Sequence, residues 1–170
     1  EQMENIKHVE SAETYAFDQG CEAYAEAGLK AMEESNKLEK KGKLKDPLFI
    51  AMENLFPESF GAHPDELINL VENSRGHMIE MLKGKGYSES QAKQEAKDHI
   101  KATFDTGHLN MWRKYWKNDP NKSPEQNEGE FNNWFLTKVE DMAKKEIIGH
   151  VHLVDNYGYQ DDHLAPGQGN

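Results

Sequence analysis

The chain has 170 residues, 31 of them acidic and 20 basic, and its net charge of −11 argues against duplex nucleic acid as a partner, because phosphate contacts are normally met by a basic surface. No apolar run approaches the roughly 18 to 20 residues that cross a bilayer, and the single Cys21 forms no internal disulfide, so a soluble, cytoplasmic protein without a membrane partner is expected. An apolar share of 36% and a mean hydropathy of −0.94 are low for a compact domain, and predict that 1–170 is a single incomplete domain, a fragment of a longer chain.

Ser11 to Leu38 carries Ala12, Tyr15, Ala16, Ala23, Ala27, Ala31 and Met32 at helical spacing with no proline, which predicts one long helix. The lysine-rich Glu39 to Pro47 reads as a solvated connection, and Leu48 to Glu53 as a short buried strand. A second helix starts near Pro64, with Asp65 and Glu66 in its first turn, and closes between Gly84 and Gly86. A short helix from Ser88 to Lys97 and a strand from Ile100 to Asp105 follow. After Gly107 the pattern predicts a helix through Trp112 and Trp116, then a polar loop from Asp119 to Pro124. An amphipathic helix bearing Phe131, Trp134, Phe135, Leu136, Val139 and Met142 leads into a strand from Ile147 to Val154. Strands separated by such long stretches are joined by crossovers and not by hairpins, so the fold class is α/β with a parallel sheet.

Each strand ends on a residue able to bind a cation. Period-2 alternation puts Glu53 on a face with Ala51, Asp105 with Thr103, and His152 with His150, while Ile50, Met52, Ala102, Phe104, Val151 and Leu153 face the helices. The C-terminal ends of parallel strands are where such sheets keep their sites, so Glu53, Asp105 and His152 are expected to converge. His150 to His163 holds three histidines and three aspartates within fourteen residues, the composition of a metal site. Simpler roles stand beside these. Asp105 can cap the helix after Gly107, Glu53 can be a solvated strand end, and Asp161 and Asp162 can be solvated loop residues. His150 reads as a supporting partner of His152 or as a core histidine, and Trp112 and Trp116 as core or, for Trp112, as a wall over a substrate. Cys21 reads as a small buried residue.

Taken in order, Glu53-Asn, Asp105-Thr-Gly-His108, His150-Val-His-Leu-Val-Asp-Asn and Asp161-Asp-His-Leu-Ala-Pro-Gly-Gln-Gly make the stretch from Leu48 to Gly169 resemble the xylose-isomerase-like superfamily. These are metal-dependent TIM barrels that include sugar phosphate isomerases, epimerases and endonuclease IV. The resemblance implies a partial TIM (β/α)8 barrel whose early strands and closing strand are missing, since a full barrel takes about 250 residues. It implies that Glu53, Asp105 and His152 bind one divalent metal, together with a glutamate from the closing strand. So oxygen-rich a set suits Mn²⁺ or Mg²⁺, with Co²⁺ or Zn²⁺ as alternatives. The implied activity is isomerisation or epimerisation of a sugar or sugar phosphate by proton transfer through an enediolate that the metal stabilises, with Glu53 as general base or acid and His108 holding a substrate hydroxyl. Two alternatives stay open. One is an endonuclease IV-like zinc phosphodiesterase acting on abasic DNA, in which His108, Asp161 and His163 hold an additional metal; the other is a metal-binding barrel with different small-molecule chemistry. Barrels of this kind associate, so a homo-oligomer is among the expectations. The chain departs from the resembled pattern at Gln168, where the turn usually carries Glu or Lys.

Overall fold

A computed structural model of the chain describes residues 10–170. Its first helix, α1 (Ala12–Glu39), opens on Ser11, whose hydroxyl accepts the Thr14 N–H. It buries Cys21, Ala25, Gly28, Leu29 and Met32 along one stripe. The second helix, α2 (Pro64–Gly84), is capped by His63 and has Pro64 in its first turn, where a missing N–H leaves no helical bond unmade. Leu67, Ile68, Val71, Met78 and Leu82 form its buried stripe, and each such side chain contributes about 1.5 to 3 kcal/mol on leaving water. Capping boxes, Ser88 with Gln91 and Ser123 with Gln126, start α3 (Glu89–His99) and a later helix, Pro124–Lys144.

Three strands, β1 (Ile50–Glu53), β2 (Ile100–Asp105) and β3 (Ile148–His152), pair in parallel in the order β1-β2-β3. Met52, Ala102 and Phe104 point to one face and join Leu29, Met32, Leu67, Val71, Met78, Leu82 and Met142 in the core. The opposite face carries Ala51, Glu53, Lys101, Thr103, Asp105, His150 and His152. The α/β parallel architecture is therefore as expected, but the sheet is open: three strands do not close, and the barrel implied by the resemblance is not formed by these residues. None of the described helices is long and apolar enough to cross a membrane.

Three boundaries differ from the sequence expectation for identifiable reasons. The ladder of β1 begins at Ile50 and not at Leu48, because Leu48 N–H donates to Ser35 Oγ (2.8 Å) and Leu48 C=O accepts from His99 Nδ1 (2.6 Å). At the far end, β3 stops at His152, since Thr106 Oγ1 accepts the Val154 N–H (3.1 Å) and donates to the Val154 carbonyl (2.6 Å). The single helix expected through Trp116 divides into α4 (Thr106–Asn110) and a 3-10 turn (Met111–Tyr115). Its tighter pitch sets residues i and i+3 on one side, and the Trp112 and Tyr115 rings lie 6.1 Å apart. The remaining helix is α5 (Pro124–Lys144).

Val151 and Leu153 do not pack against helices as the alternation predicts. They are 46% and 66% exposed, because β3 lies at the edge of the sheet and α5 packs instead over Phe104 through Phe135 (rings 6.4 Å apart).

At the opposite end of the strands a buried arginine ties the backbone together. Arg75 of α2 donates from Nε to Ile100 C=O (2.9 Å), from Nη2 to Glu146 C=O (2.8 Å) and from Nη1 to Lys145 C=O (3.4 Å). Burial lowers its pKa from the ordinary arginine value, against the opposing pull of Glu146 and Glu72. The positive guanidinium thus holds the start of β2 and the turn into β3 in one grip.

Candidate metal centre

The strand register determines which side chains meet. Asp105 is cross-strand from His152, Thr103 from His150, and Glu53 from Thr103, so Glu53 starts one row back and reaches forward with its longer side chain. Glu53 Oε1 lies 3.2 Å and Asp105 Oδ2 3.3 Å from His152 Nδ1. Among the described residues these three are the one set of three His, Cys, Asp or Glu whose ligand atoms all lie within 4.8 Å of one another. Asp105 is buried at 2% exposure, while the imidazole of His152 is 42% exposed, so the cluster is anchored in the sheet and open on one side.

The spacing fits a divalent cation. Ligands bonded at about 2.1 to 2.2 Å and at right angles stand about 3 Å apart, close to the two separations found here. Two carboxylates and one imidazole also concentrate negative charge in a partly buried pocket where a single imidazole proton can satisfy only one of the carboxylates. These residues can therefore hold a metal ion.

Asp105 caps the helix, as its sequence position allowed, and also belongs to the cluster. Its Oδ1 accepts the His108 N–H (2.9 Å) and so caps α4, leaving Oδ2 to face His152. The cap brings the His108 ring back over the cluster, 3.6 Å from Glu53 Oε1 and edge-on to Phe56 at 5.2 Å between centroids. His108 Nδ1 donates to the Asn54 carbonyl (2.8 Å), which can only accept, so Nε2 is the nitrogen that faces Asp161 Oδ2, 3.4 Å away. Asp161 Oδ1 in turn lies 3.0 Å from His163 Nε2, yet is buried without a hydrogen bond of acceptable geometry. His108, Asp161 and His163 thus form a chain leading away from the first cluster and not a second closed set.

The loop carrying Asp161 and His163 is held by residues that the sequence did not single out for this task. Asp155 pairs with Leu164 as an antiparallel bridge, and its carboxylate accepts the N–H groups of Asn156 (2.8 Å), Gly167 and Gly169 (both 2.9 Å). Gly169 approaches so closely that a Cβ there would collide with the Asn156 carbonyl. Asn156, fully buried, donates to Gly107 C=O and receives Asn110 Nδ2 and Gly158 N–H. The glycines of the Pro-Gly-Gln-Gly turn therefore serve through their backbone, whereas Gln168 is exposed.

These backbone donors, Gly169 first, hold the Asp155 pKa below the ordinary 3.8. A carboxyl lowered on folding stabilises the native state above its unfolded pKa and loses that contribution as pH falls through the folded value. The clasp should accordingly be in full force above about pH 4 and release only at a lower pH, where the folded carboxyl takes up its proton. Amide exchange is expected to find Gly167 and Gly169 protected above that pH and unprotected beneath it, with Asp155→Asn losing most of the protection throughout. Undiminished protection in Asp155→Asn would mean that the bridge to Leu164 alone holds the loop.

His150 is exposed, with its ring edge-on to His152 at 4.9 Å, a position beside the imidazole and not among the carboxylates. Trp112 packs edge-on against His63 at 5.0 Å, and Trp116 against Phe131 at 5.5 Å. Neither indole Nε1 has a hydrogen-bond partner among the described residues. Lys114 and Tyr115 both donate to Glu58, tying the 3-10 turn to the loop after β1 and lowering the Glu58 pKa to about 2.

A three-stranded parallel α/β sheet with a two-carboxylate, one-imidazole cluster at the C-terminal ends of its strands is the class of structure this defines. Comparison of the chain with protein-family models, with curated proteins and with solved structures finds no match.

Proposed function

We propose that the protein is a divalent-metal-dependent isomerase or epimerase acting on a sugar or sugar phosphate, with Mn²⁺ or Mg²⁺ held by Glu53, Asp105 and His152. The observation that carries this reading is the convergence of those three donors within 4.8 Å at the C-terminal ends of successive strands. Strand order supports a singly wound, barrel-like segment as well. The three strands follow one another without reversal and the core helices cover the face bearing Met52 and Phe104, unlike a doubly wound sheet with its switch of direction.

In this reading a bound cation supplies Lewis-acid polarisation of a substrate carbonyl. Glu53 carries the proton between adjacent substrate carbons, since its carboxylate is partly exposed at the mouth of the cluster. Asp105 is too buried and too fully engaged with the α4 cap for that task and serves to fix charge. His108 Nε2, which faces Asp161 Oδ2 at 3.4 Å, contacts a substrate hydroxyl.

A second reading rests on Asp161. The Asp161 carboxylate faces His108 through Oδ2 and His163 through Oδ1, the latter buried without a hydrogen bond, an arrangement that suits a further cation and hence the chemistry of an endonuclease IV-like zinc phosphodiesterase. The −11 charge weighs against a DNA substrate. The test is carried out with Mn²⁺ or Co²⁺ in D₂O: ketoses and ketose phosphates should exchange the proton α to the carbonyl, and Glu53→Gln should lose the exchange while His108→Asn raises KM. Cleavage of abasic DNA with two or more zinc ions per chain, and no proton exchange, would overturn the isomerase reading.

A further inference from the structure

We infer that Asn54 is the positioning residue of the metal centre, setting both Asp105 and His108 from a single buried side. This rests on the metal-binding reading of Glu53, Asp105 and His152 and goes beyond it. The β1 ladder ends at Glu53, paired with Thr103, so the backbone groups of Asp105 have no strand partner on that side. The Asn54 side chain replaces the missing peptide: Oδ1 accepts the Asp105 N–H (2.8 Å) and Nδ2 donates to the Asp105 carbonyl (2.9 Å). Only one orientation of the amide satisfies both bonds, so the side chain reproduces one donor and one acceptor of a strand neighbour.

The same residue uses its main chain for His108. Its carbonyl accepts the Nδ1–H of the imidazole (2.8 Å), which fixes the ring and leaves Nε2 turned toward Asp161. Asn54 is 1% exposed, and all three bonds lie in the buried corner where β2 turns into α4. Glu53 is its chain neighbour, so a shift of Asn54 moves a ligand directly and the other site groups through hydrogen bonds. Its place one residue beyond a ligand gives no local hint of this, since the Asp105 partner lies 51 residues away.

Partners that orient metal ligands typically cost 10- to 100-fold in metal affinity when removed. Mn²⁺ titrated into the full chain, at a temperature well below unfolding, should therefore bind about 10- to 100-fold more weakly to Asn54→Ala than to the unaltered protein. The Co²⁺ absorption bands should shift as Asp105 is released. Asn54→Ser, which fills part of the space and keeps a hydroxyl, covers the case in which the alanine variant does not fold. Asn127→Ala removes another buried asparagine, one that bonds only the Asp119–Ser123 turn, and should lose stability while binding Mn²⁺ as before. Combined with Asp105→Asn, the Asn54 substitution should add little further loss, because both act through one carboxylate.

Folded Asn54 variants with unchanged Mn²⁺ affinity and Co²⁺ spectrum would overturn the positioning role while leaving the metal site intact. Equal losses in Asn54→Ala and Asn127→Ala would overturn it too, by tracing the effect to global stability. Failure of the unaltered chain to take up Mn²⁺ or Co²⁺ would instead overturn the metal reading, and this inference with it.

Discussion

Asp105→Asn is expected to lower Mn²⁺ affinity by more than about 100-fold, beyond the range for a supporting partner, while the protein stays folded. Asparagine caps helices about as well as aspartate, so the bond to His108 N–H survives and only the negative charge facing His152 is removed. Asp105→Ala removes the cap as well and should cost about 1 kcal/mol more in stability. Calorimetric titration gives the affinity, and a denaturant midpoint gives the stability. Metal content unchanged in Asp105→Asn would mean that the cluster is only a hydrogen-bonded corner.

The largest effect on stability is expected at Arg75. Replacement by alanine leaves the carbonyls of Ile100 and Glu146 without their charged donors in a part-buried environment. Each hydrogen bond to a charged group contributes about 1.5 to 3 kcal/mol, so a loss of roughly 3 to 6 kcal/mol is expected from the two. Arg75→Lys keeps the charge but lacks the planar fork that spans three carbonyls, and should fall between. Urea unfolding measures both. Metal affinity should be unaffected, because Arg75 grips the N-terminal end of the strands and the cluster lies at the other. A loss under about 1 kcal/mol would show that water replaces the guanidinium at no great cost.

What the sequence made legible was governed by short-range periodicity. Alternation along β1 and β2 put Glu53 and Asp105 on the face opposite Met52 and Phe104, whereas the serine caps and their Gln partners that start α3 and α5 went unread. The alternation did not tell how far each strand runs, because Ser35, His99 and Thr106 claim backbone groups of residues distant in the chain. Nor could it show that Asp105 is both cap and cluster member, since the two roles use different oxygens of one carboxylate. Asn54, Asn156 and Asp155 stood within the quoted motifs, but their tasks could not be read, for a related reason. Each works by bonding main-chain atoms, and main-chain partners leave no trace in residue identity. Asp155 looked like one more acid in a metal-rich stretch, but its hydrogen bonds to Gly167 and Gly169 make it the clasp of the loop.

The open side of β3 has a bearing on how the chain behaves in bulk solution. A strand whose outer edge has no strand partner among the described residues, with Val151 and Leu153 in water, is a template for strand addition from another copy. What opposes that encounter is long-range repulsion between bodies that each carry −11. Salt shortens this repulsion to about 8 to 10 Å at ordinary ionic strength, but leaves the apolar contact untouched. Colloidal stability is therefore expected to be greatest in dilute buffer, with light scattering rising as salt is added.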